Sequence, residues 1–205
     1  MDVRAFLIRA RKAPVQAARF LRAVGREPYV EHLAQIFLNA LFVAQGHRDN
    51  TVLYLCLEGS SDFPRLLTLD GASLGSLSGL HEKALLTCLA DMLLAGEGLG
   101  KSQHRQVERG MTIAAVSFEA HIKALASEGR QIYLLDRRGE NIGQVALSSD
   151  ALFVMTDHIP MPKKSFHSLD RLGARRLSLG PVMLHASQCI TVIHNHLDGL
   201  KAPGD

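Results

Sequence analysis

The sequence predicts a single α/β domain built on a mainly parallel sheet with helices on both faces. Short apolar, β-rich runs alternate with segments of helical periodicity along most of the chain, the pattern of strands joined by crossover helices. Several of those runs are apolar at every position, as strands covered on both faces are. The 205 residues, 47% hydrophobic and 21% charged, suffice for one substantial core over 1–205 and not for two large catalytic domains.

A first strand is expected over residues 3–8, Val-Arg-Ala-Phe-Leu-Ile, followed by a basic connection. Val30, Leu33, Ala34, Phe37, Leu41 and Ala44 recur at helical spacing, and Gly46 supplies a stop, so a core helix spans 30–44. The run 51–57 reads as an interior strand and 65–69 as a strand at an edge. Residues 81–95, rich in Leu, Ala and Met and closed by Gly96, form a second long helix. A flexible connection over 96–100 leads to a strand over 111–116 and a helix capped by Ser117 and ended at Gly129. Then come a strand over 131–135, a turn at 136–139, a buried strand over 151–155, a short helix over 163–172, a strand over 175–179 and a last helix over 187–197.

Composition narrows the function classes. Apolar runs fall short of the ~20 residues that cross a bilayer, and the basic start of the chain contains a strand that a removable targeting segment would not need; a cytoplasmic protein is expected. Cys56, Cys88 and Cys189 form an odd set without metal-ligand spacing, which excludes a disulfide framework and a zinc ribbon. The net charge is only +3, yet Arg4, Arg9, Arg11, Lys12, Arg19, Arg22 and Arg26 precede all acids but Asp2. Such asymmetry suits a polyanion such as RNA, although a run of this kind is more often a solvated face.

In parallel sheets ligands bind where the carboxyl ends of strands release their loops. Three loops qualify: the turn after Leu134, the segment from Thr156 to Pro160, and the segment from Gly180 to Ala186. The phosphate-binding P-loop, the dinucleotide fingerprint, the G-x-S-x-G elbow and H-E-x-x-H are absent. A metal site drawing on His158, His185 and His194 with Asp157 or Asp198 lacks a tight ligand pair, so no metal is expected. Cys189, near the start of the last helix, is either a thiolate activated by that helix terminus or a small buried hydrophobe.

Two ordered motifs in the last third carry a resemblance. Phe153-Val154 is followed by Asp157-His158-Ile159; Ser178-Leu179-Gly180-Pro181 is followed by His185-Ala186, Cys189-Ile190, Val192-Ile193, His194-Asn195 and Leu197-Asp198. Together they resemble the C-terminal signature of the archaeal tRNA pseudouridine N1-methyltransferases. Weaker similarity covers Ile132-Tyr133-Leu134 and the run from Leu38 to Phe42 with Gly46, so the resemblance spans most of the chain in order. It implies a fold of the SPOUT class, with a C-terminal trefoil knot over about 130–200 that holds S-adenosyl-L-methionine (SAM), and a homodimer that completes the site. Carried over by position, the cofactor contacts are Leu134, Thr156, Leu179, Gly180 and Cys189. The implied reaction is methyl transfer from SAM to an RNA base, N1 of pseudouridine in tRNA.

Asp157 and then His158 are the candidate catalytic groups, because the base proton must leave as the methyl arrives; the alternative for Asp157 is a carboxylate that caps its own loop. Arg19, Arg22 and Arg48 are candidate phosphate contacts. The family's glycines on either side of Asp-His-Ile are Thr156 and Pro160 here, and its Arg-Met-Asp stretch before the long helix is without a match around Pro28. Two other readings stay open: a SAM- or RNA-binding module without catalysis, and a metal-dependent hydrolase.

Overall fold

The computed structural model describes residues 3–200; the remaining residues of the expected 1–205 domain, Asp2 among them, lie outside the described residues. Its centre is an eight-stranded sheet in the order β10-β8-β9-β1-β4-β5-β7-β6. The strands are β1 (Arg4–Ala10), β4 (Thr51–Leu57), β5 (Arg65–Asp70), β6 (His104–Glu108), β7 (Met111–Ala114), β8 (Gln131–Asn141), β9 (Ala151–Thr156) and β10 (Arg175–Ser178); a separate small hairpin pairs β2 (Phe42–Val43) with β3 (Gly46–His47). Pairing is parallel from β10 through β8, β9 and β1 to β4, and antiparallel from β4 through β5 and β7 to β6.

All residues of β1 and β4 are buried, because helices cover the sheet on both sides, as the unbroken apolar runs imply. Phe6, Ile8, Leu53 and Leu55 face one side, with Phe20 of α1 (Ala17–Ala23), Leu33 and Phe37 of α2 (Pro28–Leu41), Leu89 of α3 (Glu82–Ala95) and Ile190 and Ile193 of α6 (Ala186–Gly199). Leu7, Val52 and Tyr54 face the other, with Phe118 and Ile122 of α4 (Phe118–Ser127) and Leu169 of α5 (Lys163–Arg171). No helix among the described residues is long and apolar enough to cross a membrane.

Several sequence-based expectations need correction. The basic connection contains the helix α1, whose exposed face carries Arg19 and Arg22 and whose buried face carries Ala17, Phe20 and Ala23. α2 begins two residues early, with Pro28 in the first turn where its missing N–H costs nothing, and ends at Leu41 because Phe42–Val43 enter the hairpin. β5 is interior rather than at an edge, since β7 and β6 extend the sheet beyond it. The expected turn at 136–139 lies within β8, which leaves its partner between Leu134 and Glu140 and rejoins it. Asp136 Oδ1 accepts from the Arg138 N–H at 2.9 Å inside that excursion, and Gly139 closes it where a Cβ would lie 2.5 Å from the backbone of Arg176 and Leu177.

A buried polar clamp joins the start of β1 to α6. Arg4, 4% exposed, donates to His194 Nδ1 at 3.0 Å and pairs with Asp198 at 2.7 Å, and Arg48 reaches the same carboxylate at 2.8 Å. Since Nδ1 accepts, His194 Nε2 carries the proton and donates to the Ala40 carbonyl at 3.0 Å. Burial, then the positive charge of Arg48, with a further push from Arg4, lowers the His194 pKa to about 3 against the pull of the Ala40 carbonyl and Asp198. The unfolded imidazole titrates near 6.5, so below that pH the unfolded chain binds a proton the folded one refuses. This contribution to stability is complete above about pH 6.5 and is lost as pH falls toward 3, by about 2 kcal/mol between pH 6.5 and 5. Urea unfolding at pH 7 and 5 should show that loss, and His194→Asn, which cannot titrate, should be less stable at pH 7 yet lose less on acidification. An equal loss in both proteins would remove His194 as a source of acid lability.

Candidate functional site

The three loops singled out from strand order converge at the carboxyl ends of β8, β9 and β10 around one cavity of about 570 Å3, within the roughly 300–1,000 Å3 usual for small-molecule sites. All five residues expected to contact a cofactor, Leu134, Thr156, Leu179, Gly180 and Cys189, line it, as do Asp157 and His158. Its inner wall is apolar, from Leu134, Met155, Leu177, Leu179, Ala186 and Cys189, and its edges are polar, with Asp136, Arg137 and Arg138 on one loop and Asp157, His158 and His185 on the others.

The loop after β9 is held from behind. Arg9, at the end of β1 and in register with Thr156, donates through Nη1 to Ser165 Oγ at 2.6 Å and pairs with Glu119 and Glu58, both at 2.9 Å. Its guanidinium lies 4.5 Å from the centre of the Phe118 ring. Burial works against the Arg9 charge, but the two carboxylates outweigh it and raise its pKa, so the network stays ionised and fixes α5 to the sheet. In the third loop Gly180 has φ +125°, and no atom lies within 4 Å of the position a Cβ would take. Its backbone therefore faces open space in the cavity wall.

Asp157 is fully shielded from solvent at its side chain. Its Oδ1 accepts from the Ile159 N–H at 3.2 Å, so the loop-capping contact exists. Its Oδ2 is buried without a hydrogen-bond partner among the described residues and lies 3.4 Å from His158 Nδ1. One carboxylate thus caps the loop with one oxygen and leaves the other buried beside an imidazole. Cys189 is partly buried, and burial raises its thiol to about 11. That favours a packing role over a thiolate, although the residue sits in the first turns of α6.

The arginines expected at phosphates separate. Arg19 and Arg22 are exposed on α1. Arg48 is held by both oxygens of Asp198, at 3.3 and 2.8 Å, and takes part in the clamp. His194, with both ring nitrogens engaged in that clamp, is not beside His158 and His185, and no group of His, Cys, Asp and Glu among the described residues is arranged to hold a metal ion.

Sequence reasoning missed Tyr29 and His32 of α2. The His32 ring centre lies 5.6 Å from that of His158 and 5.4 Å from that of His185, and the Tyr29 ring is nearly parallel to His158 at 6.1 Å. No linear signal reveals this cluster, since it joins one helix to two loops more than 100 residues away.

The comparisons agree with this geometry. A Photobacterium profundum protein named "Putative pseudouridine methyltransferase" is 47% identical over 196 residues, 96% of this chain and 98% of that protein. An Alcanivorax borkumensis protein of the same name is 46% identical with the same coverage. The crystal structure of Archaeoglobus fulgidus Nep1 bound to S-adenosylhomocysteine superposes with a TM-score of 0.64 at 11% identity, over 99% of this chain and 100% of that one, a likeness of fold. A family profile described as "Putative SAM-dependent RNA methyltransferase" matches residues 3–202. The chain belongs to that family of SAM-dependent RNA methyltransferases.

Proposed function

We propose that the protein transfers the methyl group of SAM to N1 of pseudouridine in RNA, with tRNA as the substrate RNA. The observation that carries this reading is the cavity at the ends of β8, β9 and β10, which joins an apolar slot to a polar edge with a buried carboxylate beside an imidazole. The residues fit SAM: adenine suits the wall of Leu134, Leu177, Leu179 and Cys189, and Gly180 leaves main chain open to close approach. SAM supplies the electrophilic methyl. The chain's own part is to position both partners, exclude water and engage the base N–H, with Asp157 and His158 at the edge where the base is met.

The course of the chain is consistent with the trefoil knot. From β9 it runs through α5 on one face to β10 at the edge, then through the Gly180 loop to α6 on the opposite face, against α2. Arg19 and Arg22 on α1, and Arg137 and Arg138 at the cavity, are exposed and suited to RNA phosphates. A homodimer fits the exposure of Val182 and Met183, 70% and 81%, on the cavity loop. The apolar circumference of α2, by contrast, is used within the subunit against α3 and α6.

Labelled SAM offered with tRNA transcripts, with and without a prior pseudouridine-forming step, tests the reading. Label is expected in the pseudouridine-containing RNA alone. Label in both RNAs would redirect the base assignment, and RNA retention without any transfer would leave a binding module.

A further inference from the structure

His158 and His185 stand on the cavity wall, and His32 of α2 lies beside both, its ring centre 5.6 and 5.4 Å from theirs. A base that is to meet a methyl donor seated in the cavity must approach along a polar edge, and there are two. At the first, Arg137 and Arg138 cannot accept a proton at any working pH, and Asp136 is occupied by the Arg138 N–H and by Arg176 at 3.3 Å. Only the second, with its imidazoles and buried carboxylate, can take one up.

We propose that His32, lodged between His158 and His185 at that edge, is a catalytic residue that accepts the proton of the target base. This rests on the methyl-transfer reading and deepens it. In the step, a C–N bond forms at the base nitrogen, the S–C bond of the sulfonium breaks and leaves a neutral thioether, and the N–H proton passes to the His32 imidazole and then to solvent.

The surroundings of His32 keep it in the accepting form. Burial is the largest influence, and the neighbouring imidazoles of His158 and His185 add to it, so its pKa lies below the ordinary 6.5 despite the opposing charges of Asp157 and Glu31. These four groups come from α2 and both loops that face it. A neutral imidazole at neutral pH is matched to this task, because an acceptor already protonated is useless and a much weaker base would not hold the proton. Tyr29, one turn earlier on α2 and parallel to His158, gives the same edge an aromatic face on which a pyrimidine ring can stack.

The test combines single-turnover methylation across pH 5–8 with NMR titration of the histidine side chains of the full-length protein. The unsubstituted protein should lose rate as pH falls through the His32 titration. His32→Asn should retain S-adenosylhomocysteine binding by calorimetry, lose on the order of 30-fold or more in rate at pH 7.5 and lose that acid limb. His185→Asn removes a like-charged neighbour, so the His32 titration and the acid limb should move together to higher pH, whatever its absolute rate. Near-normal turnover by His32→Asn, a rate loss that leaves the limb unmoved, or a limb that ignores the NMR shift in His185→Asn would each overturn the proposal. Absence of transfer by the unsubstituted protein would instead overturn the methyl-transfer reading on which it rests.

Discussion

Asp157→Asn is expected to lower single-turnover methylation by about 100-fold or more while leaving cofactor affinity and unfolding temperature nearly unchanged. The substitution separates the two oxygens. An asparagine keeps an acceptor for the Ile159 N–H, now met at 3.2 Å, so the loop retains its cap. At the other position an amide replaces the carboxylate oxygen that lies 3.4 Å from His158 Nδ1, and the negative charge that favours a proton on the neighbouring His32 imidazole is lost. Because the carboxylate is wholly shielded from water, the loss of its charge is felt at short range with little screening. The measurement is rapid-quench transfer from labelled SAM with enzyme in excess over RNA. Turnover within a few-fold of normal would reduce Asp157 to a loop cap.

Gly180→Val is expected to weaken S-adenosylhomocysteine binding by about 100-fold or more, equivalent to about 2.7 kcal/mol. At φ +125° a β-branched residue is strained by about 1–3 kcal/mol, and relief of that strain would turn the backbone away from the cavity. If the loop instead holds its shape, the valine side chain fills the open space that the cofactor's approach requires. The empty surroundings of the Cβ position mean that no protein atom is struck, so the protein should still fold. Calorimetry that finds unchanged affinity would move the cofactor away from this loop. Gly180→Ala should fall between the two.

The parallel half of the sheet and its three loops are legible in the sequence because burial on both faces leaves unbroken apolar runs such as 51–57 and 151–155, and each ends abruptly in polar or glycine-rich residues. Elsewhere the signal fails for definite reasons. β6 is exposed at four of its five residues, so it has neither alternation nor an apolar run to mark it. α1 buries only Ala17, Phe20 and Ala23, too few in seven residues to stand out from the basic run around them. Arg48 reads as a free cation until Asp198 is placed beside it. His32 carries no motif at all: its chemistry comes from two neighbours brought to it by the loops after β9 and before α6, and contacts of that kind are written in the fold rather than along the chain.

The clamp between Arg4 and α6 spans 190 residues, and β1, at the middle of the sheet, has β9 as one of its two neighbours, with Ala5 against Leu152. On the ribosome β1 is therefore made long before the strand that completes its pairing. Until residues 151–156 emerge, one edge of β1 stands open, wholly apolar apart from its arginines, and Arg4 waits for the carboxylate of Asp198. Such an edge is a template for pairing with a neighbouring chain. The chain must pass through that stage with β1 unpaired on one side, so what shields this edge bears on its yield in the cell.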